Sequence, residues 1–120
     1  MDNSDIELLL SFHCQTMVRE DGYWWKVEAW SVAKSENIPH GVRYNLTLHN
    51  EYGTRVLGFD NAHGVKPPKK SRYSGKRKEY DHKHRSAHDK GVPYEFESCA
   101  KLLEDFFEAV DQTIATIEKR

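Results

Sequence analysis

The sequence predicts an α+β protein in which an antiparallel β-meander sheet of four to five strands is covered by one C-terminal α-helix. Three observations carry this prediction. Apolar and polar residues alternate in several segments of the N-terminal half, which is typical of half-buried strands. Turn sequences at residues 20–22 and 50–53 separate these segments. A stripe of apolar residues at helical spacing then ends the 120-residue chain.

The strands follow one another along the chain. Residues 8–18 are apolar or β-branched at their even positions, which predicts a first strand. Residues 23–33 alternate in the same way and should pair with it as a hairpin. After a loop that contains Pro39, two more strands are predicted at residues 42–48 and 54–59. The sequence therefore indicates a meander of neighbouring antiparallel strands.

The outward positions of the third strand have two interpretations, a solvated sheet face or the polar floor of a site. These positions are Arg43, Asn45, Thr47 and His49. The tryptophans are expected to pack in the core or on the sheet, with base stacking as the alternative. Because Trp24 and Trp30 have the parity opposite to Trp25, at least one of them should be exposed.

The C-terminal half begins with a long basic loop, predicted at residues 65–90, where Pro and Gly interrupt a charged stretch without apolar period. A short strand is expected at residues 92–96, restricted by Pro93 to a strand start or a sheet edge. Ser98 is a candidate N-cap for the final helix. We treat residues 1–120 as one domain. The helix stripe expected to face the sheet consists of Leu102, Leu103, Phe106, Phe107, Val110, Ile114 and Ile117.

Composition favours a cytoplasmic protein with no membrane partner. No apolar run approaches the length that spans a bilayer, and the acidic N-terminus does not resemble a signal peptide. Cys14 and Cys99 are too far apart to match a zinc or redox motif, so we expect them to pack as small apolar side chains.

Charge is distributed unevenly. Residues 66–90 contain ten of the 18 Lys and Arg residues but only three of the 19 acidic residues, so that this segment carries a formal charge of +7 within a chain of −1. Such a division suits a surface that binds a polyanion. The candidate nucleic-acid contacts are Arg43, Lys69, Lys70, Arg72, Lys76, Arg77, Lys78 and Arg85.

Histidines within this basic stretch suggest acid-base chemistry on a phosphate. A ribonuclease that works without a metal needs a base for the 2′-hydroxyl, an acid for the leaving oxygen and a cation for the phosphorane. His82 and His84 could share the proton transfers if the segment is extended, because alternate residues of a strand share a face. Lys83 and Arg85 could supply the charge. Spacing alone leaves a solvated or polyanion-binding loop as the commoner explanation.

Metal binding is the competing chemistry. The candidate ligands are Asp60, His63, Asp81, His82, His84 and His88. Surrounding positive charge disfavours a cation there, and the sequence contains no H-E-x-x-H or paired C-x-x-C motif. We therefore expect no metal and no other cofactor.

Four short motifs occur in a characteristic order: Phe59-Asp60-Asn61, then His82-x-His84, then Pro93-Tyr94-x-Phe96, then an apolar helix. This order resembles the TumE family of bacterial toxins over residues 42–110. Two features depart from the family pattern. Gly58 stands where the family usually has an arginine, and Arg43 or Arg55 could supply the phosphate contact instead. Residues 65–80 form a long basic insertion.

The resemblance implies a toxin paired with a cognate antitoxin, expected to be a helix-turn-helix protein, and RNA as the target. It also implies that Asp60, His63, His82 and His84 are functional positions. The resulting hypothesis is an RNA-binding toxin, with metal-independent endoribonuclease as the candidate activity and Asp60 orienting a histidine. A non-enzymatic nucleic-acid-binding module and an antitoxin-binding protein are the alternatives, and a homodimer is left open.

Overall fold

A computed structural model describes residues 3–36, 38–61, 82–84 and 92–119. The strands form one antiparallel sheet in sequence order, from β1 at one edge to β6 at the other. The predicted α+β class, with its meander and C-terminal helix, is confirmed. The elements are α1 (Asn3–Leu10), β1 (Gln15–Val18), β2 (Trp24–Ser31), β3 (Val42–His49), β4 (Arg55–Asp60), β5 (His82–His84), β6 (Val92–Pro93) and α2 (Cys99–Glu118).

The central strands follow the alternation in the sequence. Val27 of β2 pairs with Leu46 of β3, which pairs with Phe59 of β4, and all three side chains are buried. The turns between β1 and β2 and between β3 and β4 place Gly22 and Gly53 at φ values of 89° and 82°, where a side chain would be strained. The apolar parity thus fixes which face of the sheet forms the core.

Helix α2 covers that face, as its apolar stripe predicts. The Ser98 hydroxyl accepts a hydrogen bond from the Lys101 amide at 3.0 Å, which is the expected N-cap. Phe106 is fully buried, and its ring lies edge-on to that of Phe59 with the centroids 6.0 Å apart. Phe107 and Ile117 are partly buried against the same core.

The prediction of a strand from residue 8 is wrong over its first half, because α1 occupies residues up to Leu10 and only Gln15–Val18 forms β1. Ile6, Leu9 and Leu10 pack on the core at helical spacing. Over the eight residues of α1, helical spacing and strand alternation of apolar residues cannot be told apart.

Asp5 of α1 also stabilises α2, since its carboxylate accepts hydrogen bonds from the amides of Cys99 and Ala100 at 2.8 and 3.0 Å. These amides belong to the first turn of α2, where they have no partner within the helix. A negative charge is favourable at this end of a helix.

Two expectations for the C-terminal half also need correction. The segment His82–His84, predicted within the basic loop, forms β5, and the short strand expected at residues 92–96 is limited to Val92–Pro93. β5 has no apolar pattern of its own and depends on the backbone groups that β4 offers at the sheet edge. Among the described residues, no helix combines the length and apolar character needed to cross a bilayer.

The cysteines differ from each other. Cys99 is buried, as expected, and burial raises the pKa of its thiol to about 12, with the nearby Asp5 carboxylate acting in the same direction. Cys14 is exposed, so the prediction that it packs as an apolar side chain is wrong. Its Sγ lies 3.1 Å from Nε2 of His13, at a residue with the unusual φ of 64°.

Candidate functional site on the open sheet face

The sheet face opposite α1 and α2, here called the open face, carries the polar residues that alternate with the core. Two rows of paired positions cross it from β2 to β5. Residues at paired positions of antiparallel strands share a face, so each row brings together residues that are distant in sequence. One row is Glu28, Asn45, Asp60 and His82, and the other is Lys26, Thr47, Gly58 and His84.

Asp60 ends β4 beside a buried asparagine that fixes the strand end. The Oδ1 atom of Asn61 accepts a hydrogen bond from the Tyr44 amide at 2.9 Å, and its Nδ2 donates to the Val42 carbonyl at 2.8 Å. Asn61 is only 3% exposed. It extends the pairing of β4 with β3 by one residue through its side chain, which holds the half-buried Asp60 in position.

The register of β5 brings the two histidine positions to the open face. His82 pairs with Asp60, and His84 pairs with Gly58. Opposite residues of antiparallel strands lie about 4.5–5.5 Å apart at Cα, which is within reach of a carboxylate and an imidazole. The motifs that contain Asp60 and His82, which are 22 positions apart in sequence, are therefore adjacent in the fold.

Lys83 lies on the helix-covered face. Its Nζ atom is 5.5 Å from the centre of the buried Phe59 ring. It also borders a cavity of about 240 Å³ between the edge of β4 and β5 and helix α2. There the Tyr94 hydroxyl donates a hydrogen bond to Asp105 at 2.6 Å. This placement separates Lys83 from the face of His82 and His84, in contrast to the grouping expected from the sequence.

Arg43 and Arg55 were the two candidates to replace the arginine that the family usually has at Gly58. Arg43 is exposed on β3, two residues from Asn45 and on the same face. Arg55 pairs with His49 next to a register shift at which β4 has one extra residue, Val56. Arg43 is thus the cation nearer to the row that contains Asp60.

Aromatic side chains occupy the two ends of this face. The Trp24 and His49 rings are stacked with their centroids 3.9 Å apart. Trp30, at the other end, is 40% exposed. The expectation that Trp24 or Trp30 would be exposed is confirmed, and Trp25 of opposite parity is buried.

His49 has both ring nitrogens in polar contacts on this face. Its Nδ1 donates to the Gly53 carbonyl at 3.3 Å, and its Nε2 lies 3.0 Å from the Thr47 hydroxyl. Burial lowers the pKa of His49, and the charges of Arg55 and Lys26 lower it further, against the opposing effect of the Gly53 carbonyl. Sequence parity placed His49 on the outward face but gave no signal of this stacked arrangement.

Other predicted site residues lie outside the described residues. They are His63, Lys69, Lys70, Arg72, Lys76, Arg77, Lys78 and Arg85, together with the alternative metal ligands Asp81 and His88. Within residues 3–36, 38–61, 82–84 and 92–119, no group of three or more His, Cys, Asp or Glu side chains could hold a metal ion.

Asp60 thus lies opposite the His82 position, with Asn45 opposite Asp60 on the other side. A carboxylate and an imidazole are groups that can transfer protons. No curated protein and no solved structure matches the chain significantly. The family model described as Toxin TumE matches residues 5–114, from α1 through most of α2. Because this match spans the whole sheet and most of both helices, the chain belongs to the TumE family, the toxin component of a toxin-antitoxin pair.

Proposed function

We propose that this toxin binds and cleaves RNA on its open face, with His82 and His84 as the acid-base pair and Asp60 as the group that orients His82. The observation that carries the proposal is the register of β5, which pairs His82 with Asp60 and leaves His84 on the same side of the strand. The cytoplasm is where such a toxin would meet RNA and its antitoxin.

The reaction is an intramolecular transfer of the phosphoryl group. One histidine removes the proton of a ribose 2′-hydroxyl, and the 2′-oxygen attacks the adjacent phosphorus. The bond to the 5′-oxygen breaks as the other histidine protonates that oxygen. The products are a 2′,3′-cyclic phosphate and a 5′-hydroxyl, so that every proton and bond is accounted for without a further reactant. Either histidine can serve as the base.

Asp60 would act through His82. A carboxylate that accepts a hydrogen bond from one imidazole nitrogen fixes the tautomer and stabilises the imidazolium that forms during proton transfer. The two hydrogen bonds between the Asn61 side chain and β3 support this role, because they fix the end of β4 at the residue after Asp60. Asp60 is thus a positioning residue.

Positive charge for the phosphorane would come from Arg43, and from Arg85 and the basic segment 66–90 in the sequence. Lys83 is assigned a structural role instead, because its ammonium group lies over Phe59 on the other face. A guanidinium can contact two phosphate oxygens at once, which suits Arg43 to the task.

Non-enzymatic binding of RNA is the second candidate, favoured by the +7 charge of residues 66–90 alone. In that case the histidines would be incidental and RNA would remain intact. Docking on the antitoxin is a further use of the same charge and is compatible with either function.

The test compares His82→Ala and His84→Ala with Lys83→Gln, a matched control in the same three-residue strand. Each histidine variant should cleave single-stranded RNA about 10²- to 10⁴-fold more slowly in single-turnover assays, because each loses one proton transfer. Lys83→Gln should stay within a few-fold of the wild type. Growth inhibition on expression without the antitoxin should follow the same order.

Full cleavage activity in both histidine variants would contradict the proposal. Tight RNA binding by the wild type without any cleaved product would select the non-enzymatic candidate. The cleavage rate of the wild type should survive EDTA and pass through a maximum with pH, since one histidine must be neutral and the other charged. Loss of activity in EDTA would instead favour the metal hypothesis.

A further inference from the structure

Trp30 is an aromatic side chain held in a fixed orientation at the surface. It is 40% exposed and extends from the end of β2 on the open face. The His13 ring meets it edge-on, with the centroids 5.2 Å apart. His13 is itself fixed, because its Nδ1 accepts a hydrogen bond from the Ala29 amide at 3.0 Å. The indole is therefore preorganised before any partner binds.

Arg43 lies over the Trp30 ring at a cation–π distance. The two residues pair directly across β2 and β3, and the centre of the guanidinium is 6.0 Å from the centre of the indole. Close stacking would bring carbon atoms to about 3.5–4.0 Å, so the ring is not covered by this contact. The exposed indole thus has a cation over its ring, at a distance longer than that of van der Waals stacking.

This pair is continuous with the proposed catalytic row. Arg43 lies two residues before Asn45 on β3, which is roughly 7 Å along the strand. Trp30 lies at the same distance from Glu28, the first residue of that row. The position of Trp30 on β2 is therefore three strands, roughly 14 Å, across the sheet from that of His82 on β5, and roughly 7 Å along the strands. This separation is more than one nucleotide.

We propose that Trp30 and Arg43 form a base-stacking subsite for single-stranded RNA, in which a nucleobase stacks on the indole and Arg43 contacts the adjoining phosphate. This inference rests on the proposed function and specifies its substrate as unpaired RNA. Single-strand recognition commonly combines aromatic stacking with a basic track, whereas bases within a duplex are already stacked on each other.

The surroundings of Trp30 favour a nucleic acid over an apolar protein partner. Its neighbours on the open face are charged or polar, namely Arg43, Glu28 and His13, instead of the contiguous apolar patch that marks most protein-binding sites. Glu28 lies 3.8 Å from the Lys26 ammonium, which offsets its charge towards a phosphate.

The experiment measures binding in a background that cannot cleave, the full chain with His82→Ala and His84→Ala. Three further changes are compared: Trp30→Ala, Trp30→Phe, which keeps a ring, and Tyr52→Ala. Tyr52 is the matched control, because it is an aromatic residue, 84% exposed, in the turn between β3 and β4. The probes are a single-stranded RNA oligonucleotide, the same strand in a duplex, and a strand of equal length without bases.

Trp30→Ala should weaken binding of the single strand about 5- to 150-fold, as loss of one stacked base predicts. Trp30→Phe and Tyr52→Ala should change it by less than about threefold. The parent protein with Trp30 should bind the strand without bases more weakly than the single-stranded RNA. Trp30→Ala should bind the strand without bases as tightly as the parent does, because that strand has no base to stack on the indole. This cycle reports the contact itself and does not depend on the stability of one variant.

Equal binding of the single strand by Trp30→Ala and its parent would overturn the inference while leaving RNA cleavage by the wild type intact. So would a loss of affinity that is the same with and without bases. A wild type that neither binds nor cleaves RNA would remove the proposed function, and this subsite with it. If Trp30→Ala weakened binding of the antitoxin but not of RNA, the surface would belong to the antitoxin interface and the RNA subsite would be rejected.

Discussion

The two faces of the sheet are built from the same strands yet have different roles. On β3, the side chains at even positions are fully buried beneath the helices, whereas Arg43, Asn45 and His49 at odd positions remain partly or largely accessible. The even positions are Val42, Tyr44, Leu46 and Leu48. Because neighbours in sequence belong to opposite faces, a change of one residue tests either folding or the candidate site.

The largest expected effect belongs to the covered face. Phe106→Ala should destabilise the protein by about 3–5 kcal/mol, because a fully buried ring is lost and a cavity remains. Chemical denaturation followed by tryptophan fluorescence measures this change. Glu104→Ala, on the same helix with a side chain that is 68% exposed, is the control and should change the stability by no more than about 0.5 kcal/mol.

Wild-type stability of Phe106→Ala would mean that α2 does not form the cover of the core. A large loss in Glu104→Ala would instead show that the exposed side of α2 has a partner. Either result would break the division between a face that stabilises and a face that is accessible.

Asn61→Ala tests the point where the two faces meet. The change leaves the Tyr44 amide and the Val42 carbonyl without their side-chain partner, at roughly 1–3 kcal/mol for each buried group. We expect a loss of at least about 2 kcal/mol in denaturant melts, together with slower RNA cleavage as Asp60 loses its fixed position.

Asn45→Ala is the matched control for this prediction, since it removes the same type of side chain from a half-buried position of the open face. It should destabilise the protein much less than Asn61→Ala. Equal stability losses in the two variants would mean that the two hydrogen bonds of Asn61 add no more to the free energy of unfolding than the Asn45 side chain does.

The smallest expected effect concerns His49, which tests whether a residue of the open face also contributes to the stability of the fold. His49 has a lowered pKa, so the unfolded chain takes up a proton at that position more readily than the folded protein does. Its contribution to stability should be present above the unfolded value of about 6.5 and be lost as pH falls through the folded value. NMR titration should place His49 below that unfolded value.

His49→Phe keeps an aromatic ring beside Trp24 and removes the titration, so its stability should depend less on pH between about 5 and 7. A titration of His49 at or above its unfolded value would contradict the stacked, desolvated environment. His49 would then add nothing to the pH dependence of stability, and the open face would be important only for the candidate site.

Much of the fold could be predicted because β2, β3, β4 and α2 have long and regular apolar periods. α1 was missed because Leu8 and Leu10 fit a strand while Ile6 and Leu9 fit a helix, and eight residues do not separate the two. β5 was missed for a different reason. A strand of three charged or titratable residues carries no pattern of its own and exists because β4 has backbone groups to pair.

Some residues of the candidate site could be proposed from the sequence. Motifs named Asp60, His82 and His84 as candidates, and the pairing of β4 with β5 places His82 opposite Asp60. Grouping Lys83 with these histidines was inconsistent with strand alternation, because adjacent residues of a strand belong to opposite faces. The role of Asn61 was not predictable, because its hydrogen bonds join positions 17 and 19 residues away. Only the three-dimensional pairing of β3 with β4 reveals it.

The contact between Asp5 and the start of α2 joins residues 94 and 95 positions apart, so it bears on biosynthesis. A ribosome makes the acceptor on Asp5 before any strand of the sheet, and it makes the amide donors of Cys99 and Ala100 only after the last strand. The sheet up to β4 has local connections and can pair earlier, but its apolar face stays uncovered until α2 emerges. The nascent chain therefore covers this apolar face only after Cys99–Glu118 has been synthesised.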